Sequence, residues 1–229
     1  MFLTYMGIST NFKRNTMEPK FTISEAVSTC WKCLKEQIWV LVGLLIGFMI
    51  LSMVISMLSM GSMTMAFVMM IPSLAISILF MLGYTRNLFQ ALDGDEPQFS
   101  AYGQESRKFL NLLVAYLLFS IIVGIGMVLL VVPGIYLALR LQFCLQAIVE
   151  EDAGIIESLQ RSWEITQGQV WQLFLLALVC IGISILGLIV LGVGIFVAYP
   201  LIMMISCYVF RRLVRPTVAI EESEIATTI

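Results

Sequence analysis

The sequence contains no histidine, and only 12% of its 229 residues are charged, against about a quarter in a soluble domain. The missing histidine removes the commonest general base and the commonest metal ligand together. Aspartate and glutamate are also absent from every long apolar run. Those runs therefore hold no carboxylate pair for hydrolysis or metal-assisted chemistry. Residues 1–16 lack the charged start and the apolar run of a signal peptide. Cys30-Trp-Lys-Cys33 stands in no thioredoxin-like βαβ context, which argues against a redox or zinc role.

What the chain has is apolar length. Sixty per cent of its residues are hydrophobic, and the mean hydropathy is +0.98. Three apolar blocks run from Gln37 to Thr85, Phe109 to Val149 and Val170 to Phe210. Each is long enough for two membrane-crossing helices of about 20 residues and a turn. The turns are expected at Gly61-Ser62, Val132-Pro133-Gly134 and Leu191-Gly192. The sequence thus predicts an all-α membrane protein of six transmembrane helices in three hairpins, with short amphipathic cytoplasmic connecting helices. The expected division is a mobile extension at 1–20, the membrane domain at 21–216 and a polar, disordered tail at 217–229. Met17 offers an alternative start for the chain.

Charge placement sets the expected orientation. Lys13, Arg14, Lys20, Lys32 and Lys35 precede the first block. Arg86, Arg107, Lys108 and Arg161 lie in or beside the connections, and Arg211, Arg212 and Arg215 follow the last helix. The expected hairpin turns carry no charge. The positive-inside bias then places both termini and both long connections in the cytoplasm. Arg140 alone does not fit.

The connections carry helical signals. Thr22-Ile-Ser-Glu25 matches a capping box, followed by Val27, Cys30, Trp31 and Leu34 at helical spacing. Asp152 is placed to cap a second such segment, with Ile155, Ile156, Leu159 and Trp163 as its apolar stripe. Each is either a surface helix with tryptophan at the membrane boundary or an extension of the crossing that follows it. The two segments are also copies: residues 25–41 align with 157–173, pairing Glu25/Glu157, Trp31/Trp163, Gln37/Gln169, Trp39/Trp171 and Leu41/Leu173. All four tryptophans fall inside the repeat, as candidate interfacial anchors.

Prolines recur in the even-numbered crossings, at Pro72, Pro133 and Pro200. Pro133 and Gly134 mark a helix start, whereas Pro72 and Pro200 should kink their helices as packing devices. Gly43 and Gly47 form a GxxxG that permits close approach of helices, within the chain or between copies, and Gly182, Ser184, Gly187, Gly192 and Gly194 similarly suit a tightly packed last hairpin. Met49, Met53 and Met57 make a stripe suited to adaptable packing.

Arg140 is the candidate functional residue, about 10 Å into its helix after Pro133. An ionisable group at such a place is a functional hypothesis by default, and a guanidinium suits the phosphate of a lipid headgroup or an anionic solute. The alternatives are snorkelling to the outer interface or bonding to carbonyls loosened near Pro133. Gln142 and Gln146 share its helix, with Gln142 pointing elsewhere.

The pattern PGIY...R...VEED.G..ESL.RSWE.T.G..W, over Pro133 to Trp171, resembles the membrane domain of bacterial glycerophosphoryl diester phosphodiesterases and related uncharacterised bacterial six-helix membrane proteins. FTISEAVSTCWKCLKEQIWVLVG and LIVLGVGIFVAYPLIMMISCYVFRRL extend the resemblance over about residues 21 to 213. It implies a six-helix domain of the cytoplasmic (inner) membrane. The hydrolase activity of those proteins belongs to a following soluble barrel, and only 13 residues follow Pro216 here. No catalytic residue is carried over.

Two function classes follow. The first is a multi-pass membrane component without catalytic activity, cofactor or metal, which organises lipids or binds partner membrane proteins and does not bind nucleic acid. The second is a small transporter or channel for an anionic solute or lipid that uses Arg140.

Overall fold

The computed structural model describes residues 21–189 and 194–228, with side chains up to Val214. The extension at 1–20 and the expected turn at Leu191-Gly192 lie outside the described residues. Among the described residues every α-helix falls in one series: α1 (Ile23–Ser59), α2 (Met63–Asp93), α3 (Ser100–Glu105), α4 (Phe109–Leu129), α5 (Val131–Leu141), α6 (Cys144–Glu150), α7 (Ile155–Ile165), α8 (Val170–Ile189) and α9 (Ile195–Thr228). Six stretches are long and apolar enough to cross a membrane: α1, α2, α3 with α4, α5 with α6, α8, and α9 as far as Val214. This is the make-up of an all-α, multi-pass membrane protein. Beyond Pro216 the backbone of α9 stays helical to Thr228, where a disordered tail was expected; Glu221, Glu222, Glu224 and Ala226 are good helix formers.

The start of α1 departs from the expected capping box. Thr22 holds the extended N-cap conformation, but its side chain makes no capping bond. Glu25 is drawn instead to α9, where its Oε1 accepts from Tyr208 Oη at 2.9 Å and from Arg212. A charge-assisted bond is roughly twice as strong as a neutral one, so the ion pair outcompetes the cap. α1 then continues from the polar segment into the apolar block with one non-helical residue, Gln37 (φ −122°, ψ 17°). The first connecting segment is therefore the lower limb of a kinked helix, and not a separate one. Gln37 Nε2 donates to Asp95 O at 2.8 Å and holds the kink in place.

The second connecting segment is a separate helix, α7, but Asp152 does not cap it. Asp152 takes a positive φ of 54°, tolerable for aspartate, and pairs with Lys108 at 2.5 Å. Gly154 is the N-cap and donates its N–H to Glu157 Oε2 at 3.1 Å. The expected apolar stripe is also on the wrong side. The buried face of α7 is Ser158, Ser162 and Ile165, whereas Ile156 and Trp163 are exposed and Leu159 is half-buried. Small hydroxyl side chains let α7 approach α4, α5, α6 and α9 closely, which bulkier residues would prevent.

The apolar core is concentrated toward one end. It joins Cys30, Leu34 and Leu41 of α1 to Leu82, Leu88 and Phe89 of α2, to Phe143 and to Leu145, Ala147, Ile148 and Val149 of α6, and to Met204, Val209 and Phe210 of α9. α1 packs against α2 and α9, α4 against α5, and α8 against α9. The far halves of α1 and α2 contribute little to this core: Met49, Met53, Met57, Phe67 and Ile71 are all exposed. The methionine stripe thus faces outward and not into helix packing, as suits side chains meant for lipid. α2 runs uninterrupted through Pro72 and α9 through Pro200, while Pro133 lies in the first turn of α5. Close helix approach depends on Gly187 and Gly194, as expected of the last hairpin, and on Gly134, but not on the GxxxG. A β-carbon at Gly134 would lie 2.8 Å from Met127 Cα, and one at Gly194 would lie 2.5 Å from Gly187 O, whereas Gly43, Gly47 and Gly182 have nothing within 4 Å.

Ion pairs tie the core end together. Arg211 of α9 reaches Asp93 of α2 at 2.5 Å and Glu150 of α6 at 2.6 Å, and lies over the Phe89 ring at 4.9 Å. Arg86 also faces Glu150, at 3.6 Å. Lys108 binds Glu105 at 2.9 Å and Val149 O at 2.8 Å in addition to Asp152. Arg161 of α7 grips Glu151, with a shortest contact of 2.9 Å.

Two outcomes follow from this packing. Gly134→Ala should destabilise the protein by about 1–3 kcal/mol through overpacking, while Gly43→Ala should be neutral or slightly stabilising; thermal and denaturant melts in detergent check both. The hydrogen bond and charge of Lys108 hold the Asp152 carboxyl below its ordinary range. A lowered folded-state value means the tie contributes at neutral pH and is lost as pH falls through that value. Asp152→Asn, which keeps the positive φ accessible, should lower the melting temperature modestly at pH 7 and flatten its decline below about pH 4.

Candidate functional site

The fourth crossing is broken. α5 ends at Leu141, Gln142 and Phe143 leave the helix (Phe143 φ −95°, ψ 10°), and α6 starts at Cys144. Such a break frees backbone groups that an apolar medium cannot satisfy. Ser162 of α7 meets two of them at once: its Oγ donates to Arg140 O at 2.8 Å and accepts the Phe143 N–H at 3.1 Å. Thr166 Oγ1 stands 3.3 Å from the same Arg140 carbonyl. Cys144 Sγ reaches Leu141 O. All of this is buried, so the side chain of Arg140 projects from a backbone pinned on both sides of the break.

The guanidinium does not snorkel outward. Arg140 is 4% exposed, and its Cζ lies 3.9 Å from the Trp163 ring centre and 5.9 Å from that of Tyr136. Tyr136 and Trp163 meet edge to face at 6.2 Å. The carbonyl contact expected near Pro133 is likewise replaced, since the side chain turns toward α7. Two local terms favour the cation here: the π face of Trp163 and the C-terminal end of the α5 dipole, in whose last turn Arg140 lies. Among the described residues, no carboxylate comes within ion-pair distance of it, and its Nε–H finds no acceptor. Gln142 is exposed and Gln146 is buried, with Gln146 Oε1 lacking a partner among the described residues.

The internal repeat is structural as well as sequential. Ala26 and Ser158, Cys30 and Ser162, and Leu34 and Thr166 occupy equivalent positions, and all six are inaccessible. Trp31 and Trp163 are 38% and 39% exposed, and Trp39 and Trp171 are 87% and 70% exposed. The kink at Gln37 corresponds to the gap between α7 and α8, which contains Gln169. The chemistry differs, however. The first copy offers Cys30 and Leu34 where the second offers the hydroxyls of Ser162 and Thr166, so only the second can serve a broken helix. The surroundings of the tryptophans also diverge: Trp31 carries Lys35 over its ring at 5.2 Å, Trp171 stacks on Phe174, and Trp163 covers Arg140.

A second feature lies on the far face. Gly43 and Gly47 line an apolar groove of about 330 Å³ between α1, α2 and α3, with Phe48, Phe80, Phe99 and Tyr102 among its walls. Phe48 stacks on Phe80 with ring centres 3.9 Å apart. The sequence offered GxxxG as its only pointer to this groove, and its walls come from residues up to 59 positions away.

The family described as "Domain of unknown function (DUF7847)" has a model that matches residues 99–228. The chain belongs to the DUF7847 family. Comparison with curated proteins and with solved structures yields no match. The DUF7847 region takes in α3 to α9, and with them Arg140, the break and the second copy of the repeat. The first copy, Gly43 and Gly47 lie before it.

The Ser162 clip makes its own prediction. Ser162→Ala leaves the buried Phe143 N–H without an acceptor, while Thr166 stands ready to take over Arg140 O. The expected loss of stability is about 1–3 kcal/mol, seen in detergent melts, with Cys30→Ala at the equivalent position of the first copy costing less.

Proposed function

We propose that this protein is a non-enzymatic component of the cytoplasmic membrane, with both termini in the cytoplasm, that holds lipid at its lateral surface. The observation that carries the reading is the groove over Gly43 and Gly47. It is concave, apolar and open along a pair of helices whose outward side chains suit hydrocarbon. A partner helix about 10–12 Å across would have to pass the aromatic walls to reach the glycines. An acyl chain is narrow enough to lie along them.

The orientation is supported by the ion-paired end, where Arg86 of α2, Lys108 at the start of α4, and Arg211 and Arg212 of α9 collect, and by uncharged expected turns opposite it. A non-catalytic role is supported by the lack of histidine in the sequence and by the engagement of Glu25, Asp93, Glu105, Glu150, Glu151 and Asp152 in ion pairs. The resemblance to phosphodiesterase membrane domains fits as well, since in those proteins the chemistry belongs to another domain.

Native mass spectrometry of the purified protein tests the groove. Gly43→Leu with Gly47→Leu should fill it and sharply reduce the retained lipid. Stability should hold or rise by about 0.5–1 kcal/mol per glycine replaced. Unchanged lipid retention in a folded double variant would refute this reading. A shift from dimer to monomer without lipid loss would assign the groove to a second copy instead.

A further inference from the structure

We propose that the Arg140 guanidinium, beneath Trp163, is a binding site for an oxyanion of the phosphate type. The inference does not depend on the groove over Gly43 and Gly47.

Comparison with the other cations carries it. Arg86, Lys108, Arg161, Arg211 and Arg212 are only partly buried, and each has a carboxylate. Arg107, Lys32 and Lys35 are exposed and can rely on water. Arg140 is the most buried of them all, yet no carboxylate among the described residues comes within ion-pair distance. A desolvated charge without a counter-charge is costly in protein and in bilayer alike. An unmet buried donor, here Nε–H, points to a missing partner.

Geometry narrows the chemistry of that partner. Trp163 covers a face of the guanidinium at 3.9 Å, which leaves the in-plane N–H edge for recognition. That edge suits two oxygens of one oxyanion, bound as a fork. The backbone from which the side chain rises is held by the Ser162 bonds on both sides of the helix break, and Trp163 packs on the guanidinium, so less ordering remains to be done on binding. Tyr136 and Trp163, each about two-fifths exposed, form the rim through which a ligand would enter. At the first copy, which lacks this polar clip, the cation over the equivalent tryptophan among the described residues is the exposed Lys35. The oxyanion has two sources, the phosphate of a lipid headgroup or a free phosphate ion.

Replacing Trp31, Trp39 and Trp171 by phenylalanine leaves Trp163 as the only tryptophan and turns its fluorescence into a report on Arg140. The protein is delipidated in a maltoside detergent, which carries no phosphate, and titrated with inorganic phosphate and, in a separate series, with phosphatidylglycerol in mixed micelles. A saturable change with inorganic phosphate identifies a free anion. A change with phosphatidylglycerol alone identifies a headgroup. Either response should weaken by at least about tenfold in Arg140→Lys, which keeps charge but loses the fork, and vanish in Arg140→Leu. No saturable response to either probe in the single-tryptophan protein overturns the proposal without recourse to any Arg140 variant. A response that a folded Arg140→Lys retains in full overturns it too, and this arm stands even where Arg140→Leu fails to fold.

Discussion

A chain that crosses hydrocarbon must close every backbone hydrogen bond within itself, and this requirement organises the middle of the protein. The fourth crossing breaks at Gln142 and Phe143, and the freed groups cannot turn to water. They turn to Ser162, which obliges α7 to lie against the bundle with its serine face inward. Once α7 is so placed, Trp163 comes over Arg140, and the path from α6 back to α8 is set. A single hydroxyl thus links the break, the orientation of the connecting helix and the setting of the buried cation.

The ion pairs act at another level. Arg211 joins three helices that are far apart in sequence, and Lys108 gathers the ends of α3, α4 and α6. Each pair alone contributes little where water reaches it. Together they set the register in which α1, α2, α6 and α9 meet, at the end where the apolar core is thickest. The opposite ends need no such fixing. There the contacts are glycine backbone against side chain or backbone at Gly134 and Gly194, and the rest is left to the surrounding hydrocarbon.

Much of this architecture is legible in the residues themselves. Apolar runs of about forty residues with uncharged centres announce paired crossings, and the 25–41 and 157–173 repeat announces its matched burial. The alignment even pairs Gln37 with Gln169, the two places where the helices yield. Less legible is anything decided by packing between distant segments. Glu25 reads as a capping residue until Arg212 is brought beside it from the far end of the chain. The buried side of α7 reads as its exposed one, because serines face inward for closeness and not for polarity. Arg140 stands out in the sequence as a solitary charge, but its neighbour Trp163 lies across a break and a loop that hydropathy does not reveal. The methionines and the GxxxG read as packing elements, and only the open surroundings of α1 and α2 show that they face outward.

The kink at Gln37 has a consequence for how the first helix meets a bilayer. Unbent, the 37 residues of α1 would extend about 55 Å, far beyond a hydrocarbon thickness of about 30 Å. Divided at Gln37, the upper limb from Ile38 to Ser59 measures about 33 Å, which matches that thickness with little tilt. The lower limb is then free to follow the protein's own polar end and not the membrane normal. One glutamine side chain, tied to a backbone carbonyl beyond α2, thereby marks where the membrane-length part of α1 begins.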